Sequence, residues 1–143
     1  MSAGRYFLDT NIFVYSLAPS EPAKQAVACR LIDEAVKRRS GVVSFQVVQE
    51  FVSVATRKFA KPFSPGACRE YVSAILLPIC DVFPGVDFHM QALDVYERTG
   101  LSFHDCLILQ AALQAGCDTL YSEDLQDGYK LHGVTVRNPF AAA

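Results

Sequence analysis

Length, composition and charge restrict what this chain can be. It has 143 residues, of which 51% are hydrophobic and 20% are charged, and its formal net charge is −2. This length fits a single domain over residues 1–143 with a buried core, and the composition excludes the disordered and fibrous classes. The small negative charge argues against a protein whose function is non-specific binding to duplex DNA.

Cysteines and apolar runs indicate the compartment. The five cysteines are odd in number and include no CxxC pair, so we expect mostly buried thiols in a reducing environment. The longest apolar stretches, such as residues 12–18, are far too short to cross a bilayer, and the N-terminus has no signal-peptide pattern. We therefore expect a cytoplasmic protein that does not insert into a membrane.

Strand and helix patterns alternate along the chain. Short apolar runs predict strands at residues 6–8, 42–44, 79–82, 119–121 and 135–136. Helical periodicity, capping residues and breakers predict helices at residues 12–17, 20–39, 46–58, 64–77, 88–99 and 102–115. Because helices separate the strands, the pattern predicts βαβ units and a mostly parallel sheet covered on both faces.

Four acidic residues lie next to predicted strand ends or helix starts: Asp9, Glu50, Asp105 and Asp124. Asp9 directly follows the first strand, and Asp124 lies three residues past the strand that ends at Tyr121. Ligands of parallel sheets bind beyond the carboxyl ends of the strands. Asp105 falls in the first turn of a predicted helix, where the helix dipole favours a carboxylate. We therefore expect these acids to share one rim of the sheet.

A cluster of carboxylates has a chemical consequence. Carboxylates held close together repel each other, so the cluster persists only if protons or a cation compensate the charge. Hard oxygen ligands, without a matching set of histidines or cysteines, suit Mg²⁺ or Mn²⁺. An acidic metal site of this kind indicates phosphoryl-transfer or phosphodiester chemistry.

Each acid also has a purely structural interpretation. Asp9 fits a helix N-cap, and Asp105 fits a capping-box partner of Ser102. Asp124 lies in a segment of turn composition. Glu50 lies on a polar helical stripe opposite the apolar one, and exposure to solvent alone would explain that stripe. The other members of the stripe are Gln46, Ser53 and Arg57.

The order and local context of the four acids resemble those of the PIN-domain nucleases, and most closely the toxins of bacterial VapBC-type toxin–antitoxin systems. The resemblance spans residues 6–140, and its most specific pieces are Asp9-Thr10-Asn11, Ser122-Glu123-Asp124-Leu125-Gln126-Asp127-Gly128 and Asn138-Pro139-Phe140. It implies an α/β fold, a three-layer α/β/α sandwich with a mostly parallel sheet of four or five strands.

The same resemblance implies a metal-dependent ribonuclease that hydrolyses RNA phosphodiester bonds with Mg²⁺ or Mn²⁺ as its cofactor. The metal-binding and catalytic quartet would be Asp9, Glu50, Asp105 and Asp124. Asp9 and Asp105 would hold the principal ion, and Glu50 would complete its ligand set. Asp124 would bind a second ion or orient water. In the family a Thr or Ser usually stands two residues before the fourth acid, and Ser122 supplies it here.

Several polar residues are candidates for supporting the site or contacting RNA. The resemblance makes Thr10 or Asn11 a polar support. Arg57 and Lys58, with Lys61, form a candidate basic patch for the RNA strand. The alternative for this patch is a charged helix C-terminus that complements the dipole. The resemblance does not settle whether Asp127, a second acid in the same loop as Asp124, assists.

The segment between residues 46 and 77 indicates partners. Its predicted helices form a hairpin around Pro62 whose apolar content exceeds what one core-facing side needs. A helical hairpin with two apolar sides normally buries the second against another molecule. In the family that the chain resembles, this region binds the antitoxin, and dimers form through a C2 interface. We expect an RNA substrate, a homodimer and a small antitoxin on the hairpin; alternatively, one core buries all this surface.

Two other classes of function stay open. A catalytically degenerate PIN-like domain would act as a binding scaffold, although all four acids are present. A phosphoacceptor domain would require a second acid near the end of the first strand, and a haloacid-dehalogenase phosphatase would require an Asp where Asn11 stands. The three histidines form no metal-ligand spacing. His104, beside Asp105, either contacts substrate or has a structural role.

Overall fold

The computed structural model describes residues 4–142 and contains a six-stranded sheet. The strands are β1 (Tyr6–Leu8), β2 (Gly41–Ser44), β3 (Cys80–Val82), β4 (Thr119–Tyr121), β5 (Lys130–Leu131) and β6 (Val134–Arg137). Their order across the sheet is β3-β2-β1-β4-β6-β5, and every neighbouring pair is parallel except β5–β6. The predicted α/β class with a mostly parallel sheet is confirmed.

Helices form most of the connections between the strands. They are α1 (Thr10–Ser16), α2 (Pro22–Arg38), α3 (Phe45–Arg57), α4 (Pro65–Tyr71), α5 (Phe88–Thr99) and α6 (Phe103–Gln114). The helix predicted over residues 64–77 is irregular, because α4 continues as a π-helical segment (Val72–Leu76) and ends in a 3₁₀ turn (Leu77–Ile79). Within residues 4–142, no helix combines the length and the apolar character that crossing a membrane requires.

The direction of the connections distributes the helices over both faces of the sheet. The β1-to-β2 and β2-to-β3 connections move toward one edge, whereas the β3-to-β4 connection returns to the far side of β1. Because crossovers between parallel strands are right-handed, α1–α4 cover one face and α5–α6 cover the other. The chain therefore folds as the predicted three-layer α/β/α sandwich, and its strand order reverses between β1 and β4.

The central strands are apolar on both faces, as a sheet covered by two helical layers requires. Solvent reaches almost nothing of Phe7, Leu8, Val42, Val43 and Leu120. Helix α6 packs against β2, β4 and β6, and its buried residues are Cys106, Ile108, Leu109, Ala111 and Ala112. This packing holds the first turn of α6, which carries Asp105, in a fixed position.

The sheet has one strand more than the predicted four or five. Strands β5 and β6 form an antiparallel hairpin around His132 and Gly133, whose φ angles are 47° and 87°. Positive φ at both central positions is typical of the type I′ turn. The prediction missed β5 because a strand of two residues is too short to show alternation. Strand β3 begins one residue later than predicted, since Ile79 belongs to the 3₁₀ turn.

The hairpin of α3 and α4 has an aromatic core of its own. The rings of Phe51 and Tyr71 stack with their centroids 4.4 Å apart, and those of Phe59 and Phe63 pack edge to face at 5.4 Å. Phe51 also packs edge to face against Phe59 and Phe63. Part of the apolar content that the sequence suggested for a partner is therefore buried within the chain.

Candidate functional site

Asp9 lies at the carboxyl end of β1, where the strand order reverses. Its backbone N–H donates to the Tyr121 carbonyl at 3.1 Å, which extends the pairing of β1 with β4. Its Oδ1 accepts from the Thr10 backbone N–H and its Oδ2 from the Ser122 hydroxyl, both at 2.7 Å. The residue is only 5% exposed. Asp9 is thus both the N-cap of α1 and a buried carboxylate at the switch point, where ligand crevices of such sheets lie.

Ser122 connects Asp9 to Asp124. Its hydroxyl donates to Asp9 Oδ2 and accepts from the Asp124 backbone N–H at 3.1 Å. Because β1 and β4 are parallel neighbours, Asp9 and Ser122 leave the sheet side by side. The fully buried Ser122 side chain therefore links the loops that follow the two central strands.

Glu123 anchors the same loop from the other side. Its carboxylate accepts from the Tyr15 hydroxyl at 3.1 Å and forms an ion pair with the Lys24 ammonium at 3.2 Å. The Lys24 ammonium also lies 4.6 Å from the centroid of the Tyr15 ring. Sequence reasoning missed this anchor, since Lys24 and Glu123 are 99 residues apart and no local pattern relates them.

The electrostatic surroundings of Asp9 are those of a crowded acidic site. Burial is the main cause that raises the pKa of Asp9 from its ordinary 3.8 to about 6. The hydrogen bonds from Ser122 and Thr10 lower the pKa, whereas the charges of Asp124 and Glu50 raise it. Asp124 and Glu50 are therefore near enough to act on the charge of Asp9.

Glu50 lies within a hydrogen-bond network. The Thr10 hydroxyl donates to Oε2 at 2.9 Å, and the Gln46 amide donates to Oε1 at 3.0 Å. His104 Nε2 lies 3.3 Å from the same Oε1, and Gln46 Nε2 lies 3.2 Å from His104 Nδ1. Thr10, one of the two candidates for a polar support of the site, thus donates a hydrogen bond to Glu50.

The solvated interpretation of the Glu50 stripe is wrong at its N-terminal end. Gln46 is only 9% exposed, because His104 from α6 lies against it. Further along the stripe, Ser53 and Arg57 are exposed, as that interpretation expects. Sequence reasoning therefore missed Gln46 as a member of the site.

Asp105 lies in the first turn of α6, and Ser102 is the N-cap of this helix. The Asp105 backbone N–H donates to the Ser102 hydroxyl at 3.2 Å. Among residues 4–142 the Asp105 carboxylate forms no hydrogen bond or ion pair, so the reciprocal bond of a capping box is absent there. The neighbouring His104 contacts Glu50, and this contact joins the first turn of α6 to the acidic rim.

The sequence from residue 6 to residue 126, which is most of the chain, matches the family described as the PIN domain. This chain belongs to the PIN domain family. Membership confirms the resemblance and sets aside the phosphoacceptor and phosphatase interpretations. A comparison with curated protein sequences finds no match.

Solved structures share the fold of this PIN domain. The VapC20 toxin of Mycobacterium tuberculosis, described as cleaving the sarcin–ricin loop, matches with a TM-score of 0.62 and 20% identity, over 83% of this chain and 89% of that chain. A toxin–antitoxin complex from Klebsiella pneumoniae matches with a TM-score of 0.65 and 16% identity, over 91% of this chain and 95% of that chain. VapBC2 from Rickettsia felis, bound to a DNA fragment from its promoter, matches with a TM-score of 0.62 and 15% identity, over 92% of this chain and 96% of that chain. Identities at this level show the fold alone.

The donor groups at the rim of this PIN domain fit a hard divalent cation. Asp9, Glu50 and Asp124 supply carboxylate oxygens, and the buried Asn11 Oδ1 has no hydrogen-bond partner within the described part of the chain. The described residues include no group of three or more His, Cys, Asp or Glu side chains already placed to hold a metal ion. Mg²⁺ usually keeps several waters and takes one or two carboxylates rather than a protein cage, so its binding does not require a group of three protein ligands.

The candidate RNA-contacting residues on α3 lie at the end of the helix that is farther from the acids. Arg57 and Lys58 are exposed at the end of α3, where Lys58 is the C-cap. Arg57 lies two helical turns beyond Glu50, about 10 Å along the axis. The structure therefore leaves both the RNA patch and the helix-dipole interpretation open to experiment.

Asp127 has a structural contact. Its Oδ1 accepts from the Asn138 backbone N–H at 2.9 Å, and Asn138 in turn accepts from the Phe140 backbone N–H. These bonds join the loop after β4 to the C-terminal loop. Asp127 therefore stabilises the loop that carries Asp124.

Proposed function

We propose that this PIN domain is a metal-dependent endoribonuclease that hydrolyses RNA phosphodiester bonds as the toxin of a toxin–antitoxin pair. The observation that carries the proposal is the buried Asp9 carboxylate at the β1–β4 switch point, beside the charges of Asp124 and Glu50. Such a site favours a compensating cation. The shared fold with a toxin described as cleaving the sarcin–ricin loop supports RNA as the substrate.

Each acid has a proposed role. Asp9 and Asp105 would hold the principal Mg²⁺ or Mn²⁺, Glu50 would complete the ligand set, and Asp124 would bind a second ion or orient water. A bound cation supplies Lewis-acid activation of the phosphate and of the attacking water. Asp9 is already oriented by donors on both of its oxygens, so it needs little rearrangement to bind a cation. We expect the activity in the cytoplasm, where the RNA substrate and the antitoxin are.

Nuclease activity tests the proposal directly. Purified protein should cleave single-stranded RNA when Mg²⁺ or Mn²⁺ is present, and EDTA should stop the cleavage. The Asp9→Asn variant should be inactive, whereas Asp94→Asn, which changes an exposed acid on α5, should cleave like the wild type. If Asp9→Asn cleaves at the wild-type rate, the activity comes from a contaminant or the site is misplaced.

An antitoxin partner is supported by an apolar groove on the α3–α4 hairpin. The groove has a volume of about 430 Å³, and we call it the hairpin groove; it is lined by Val52, Thr56, Pro65, Cys68, Arg69, Val72 and Ser73. An amphipathic helix binds such a groove through its apolar face, and Arg69 suits an acidic residue at the edge of that helix. One structure of similar fold is described as a toxin–antitoxin complex, and another is described as VapBC2.

Co-expression with the small protein encoded by the neighbouring reading frame tests this partner. The two proteins should co-purify, and the small protein should inhibit RNA cleavage. Val72→Glu places a charge in the hairpin groove and should weaken the complex, whereas Ala74→Glu changes an exposed residue of the same segment outside the groove. Equal binding by both variants would argue against the groove as the docking site.

A homodimer is supported by large apolar side chains that are exposed to solvent. Five large ones lie in the segment after β3 and along α5: Phe83, Val86, Met90, Leu93 and Tyr96, with exposed fractions from 44% to 99%. Exposed apolar surface of this extent favours association. Light scattering should show a dimer at micromolar concentration that Leu93→Glu dissociates and Gln91→Glu does not. A wild-type protein that is strictly monomeric would contradict this part of the proposal.

The alternative function is a catalytically inactive PIN domain that acts as a binding scaffold. The observation in its favour is that the described residues form no ready-made group of three metal ligands. The cleavage experiment separates the two functions, because a scaffold would bind the antitoxin without cutting RNA at any Mg²⁺ or Mn²⁺ concentration.

A further inference from the structure

Gln46 lies between two of the helices that carry proposed metal ligands. It belongs to the first turn of α3 and is only 9% exposed. Its amide nitrogen lies 3.0 Å from Glu50 Oε1 and 3.2 Å from His104 Nδ1. One amide group therefore contacts both Glu50 on α3 and the residue that precedes Asp105 on α6.

The chemistry of the groups determines the direction of each hydrogen bond. A carboxylate only accepts, so Thr10 and Gln46 each donate to one oxygen of Glu50. The second hydrogen of the Gln46 amide is directed to His104 Nδ1, which accepts it when the imidazole proton is on Nε2. His104 Nε2 lies 3.3 Å from Glu50 Oε1, close enough for a polar contact with the same carboxylate. The amide thus orients the carboxylate and the imidazole together.

We propose that Gln46 is a positioning residue, which holds Glu50 and His104 in one arrangement for cleavage; this inference rests on the proposed function. Gln46 acts through these two side chains and touches neither RNA nor metal. Without its amide, Glu50 keeps the Thr10 donor on Oε2 but loses the Gln46 donor on Oε1. His104 loses the donor that fixes its tautomer, so both side chains gain alternative orientations.

A simple pairing on the surface of one helix does not account for these contacts. Gln and acidic residues four positions apart on a helix often pair at the surface, but such a pair stays exposed and within its own helix. Gln46 is buried, and its other contact comes from α6, 58 residues away in the sequence. The network joins two helices, which is what a positioning role requires.

Replacement by methionine tests the role, because methionine has a similar size and no donor. Gln46→Met should bind Mn²⁺ about tenfold more weakly in calorimetry. It should also lower kcat for RNA cleavage while leaving the KM for RNA unchanged. The matched control is Gln49→Met, a change at an exposed glutamine of the same helix, which should bind and cleave like the wild type. Equal Mn²⁺ affinity in the two variants would overturn the inference.

The Glu50→Gln background shows whether Gln46 acts through Glu50. If it does, adding Gln46→Met to Glu50→Gln should change Mn²⁺ affinity by less than about twofold, since coupled residues are not additive. If the double variant instead loses Mn²⁺ affinity by the product of the two single-variant losses, the positioning role is overturned. If the wild type binds no Mn²⁺ and cuts no RNA, the proposed function fails instead. The melting temperatures of the wild type, the two single variants and the double variant then test the Gln46–Glu50 contact. Additive shifts would overturn the contact, and non-additive shifts would support it.

Discussion

The Ser122 hydroxyl donates a hydrogen bond of 2.7 Å to Asp9 Oδ2 and accepts one of 3.1 Å from the Asp124 backbone N–H. One buried side chain thus sets the distance between the loops that follow β1 and β4. The bond also offsets part of the burial and repulsion that raise the pKa of Asp9. Ser122 therefore contributes both to the geometry and to the charge of the acidic rim.

Removing this hydroxyl should loosen the rim. Ser122→Ala leaves Asp9 Oδ2 buried without its donor, and we expect a loss of about 2 kcal/mol in the free energy of unfolding at pH 7. RNA cleavage should fall about 10- to 100-fold, as is usual for groups that orient metal ligands. Chemical denaturation and cleavage assays measure the two effects.

Ser122→Thr is the matched variant because it keeps the hydroxyl. It should restore most of the cleavage that Ser122→Ala loses. A Ser122→Ala protein with wild-type activity and stability would show that this bond does not hold the site.

The position of the acidic rim could be predicted from short stretches of sequence. Asp9 directly follows one apolar run, and Ser122 directly follows another. The rule that parallel strands place their carboxyl ends at one edge then brings the two together. In the structure, the Asp9 N–H donates to the Tyr121 carbonyl, so the ends of the two strands lie side by side as this rule predicts.

The surroundings of Glu50 could not be predicted in the same way. Helical periodicity places Gln46 and Glu50 on one stripe, but it carries no information about which element covers that stripe. The covering residue is His104, from a helix 58 residues further along the chain than Gln46. Burial of a polar stripe depends on tertiary packing, so periodicity alone could not decide between an exposed stripe and one covered by another helix.

The raised pKa of Asp9 predicts how stability depends on pH in the metal-free protein. Below the unfolded-state value near 3.8 Asp9 is protonated in both states, so folding carries no cost from its charge. As pH rises through the folded value of about 6, the folded state must carry a disfavoured charge, at a cost of about 3 kcal/mol. The free energy of unfolding of the wild type should therefore fall between pH 4 and pH 7.

Asp9→Asn removes the charge and should not show this loss. The difference in unfolding free energy between Asp9→Asn and the wild type should grow in favour of the variant by about 2.4 kcal/mol from pH 4 to pH 7. Comparing the difference at two pH values cancels any constant effect of the substitution on the α1 cap. A difference that stays constant over this range would show that Asp9 titrates normally. Denaturation in EDTA at each pH measures it.

Mn²⁺ should stabilise the wild type by mass action. At a concentration 100-fold above the dissociation constant, the melting temperature should rise by about 5–10 °C. The rise should shrink below pH 6, because protons then compete with the cation for Asp9.

The variants Asp9→Asn and Asp105→Asn should show much smaller Mn²⁺ shifts. Asp94→Asn, at the exposed position on α5, should keep the wild-type shift. Equal shifts in all four proteins, measured by differential scanning fluorimetry, would mean that Asp9 and Asp105 bind no metal.

RNA binding should depend on Arg57 if the end of α3 contacts the substrate backbone. Arg57→Ala removes one positive charge on the stripe that begins with Gln46 and Glu50, two turns from the proposed metal site. Losing one phosphate contact should raise KM with little change in kcat. It should also reduce the slope of log affinity against log salt by about 0.7.

Arg38→Ala is the matched control, because it removes the same charge from the last turn of a different helix, α2. If Arg57 contacts the RNA backbone, only Arg57→Ala should change the salt slope in fluorescence anisotropy with an uncleavable RNA analogue. If Arg57 only complements the dipole of α3, Arg57→Ala should lower the melting temperature slightly and leave RNA affinity unchanged. Equal affinity losses in the two variants would show that RNA responds to the net charge of the protein rather than to Arg57.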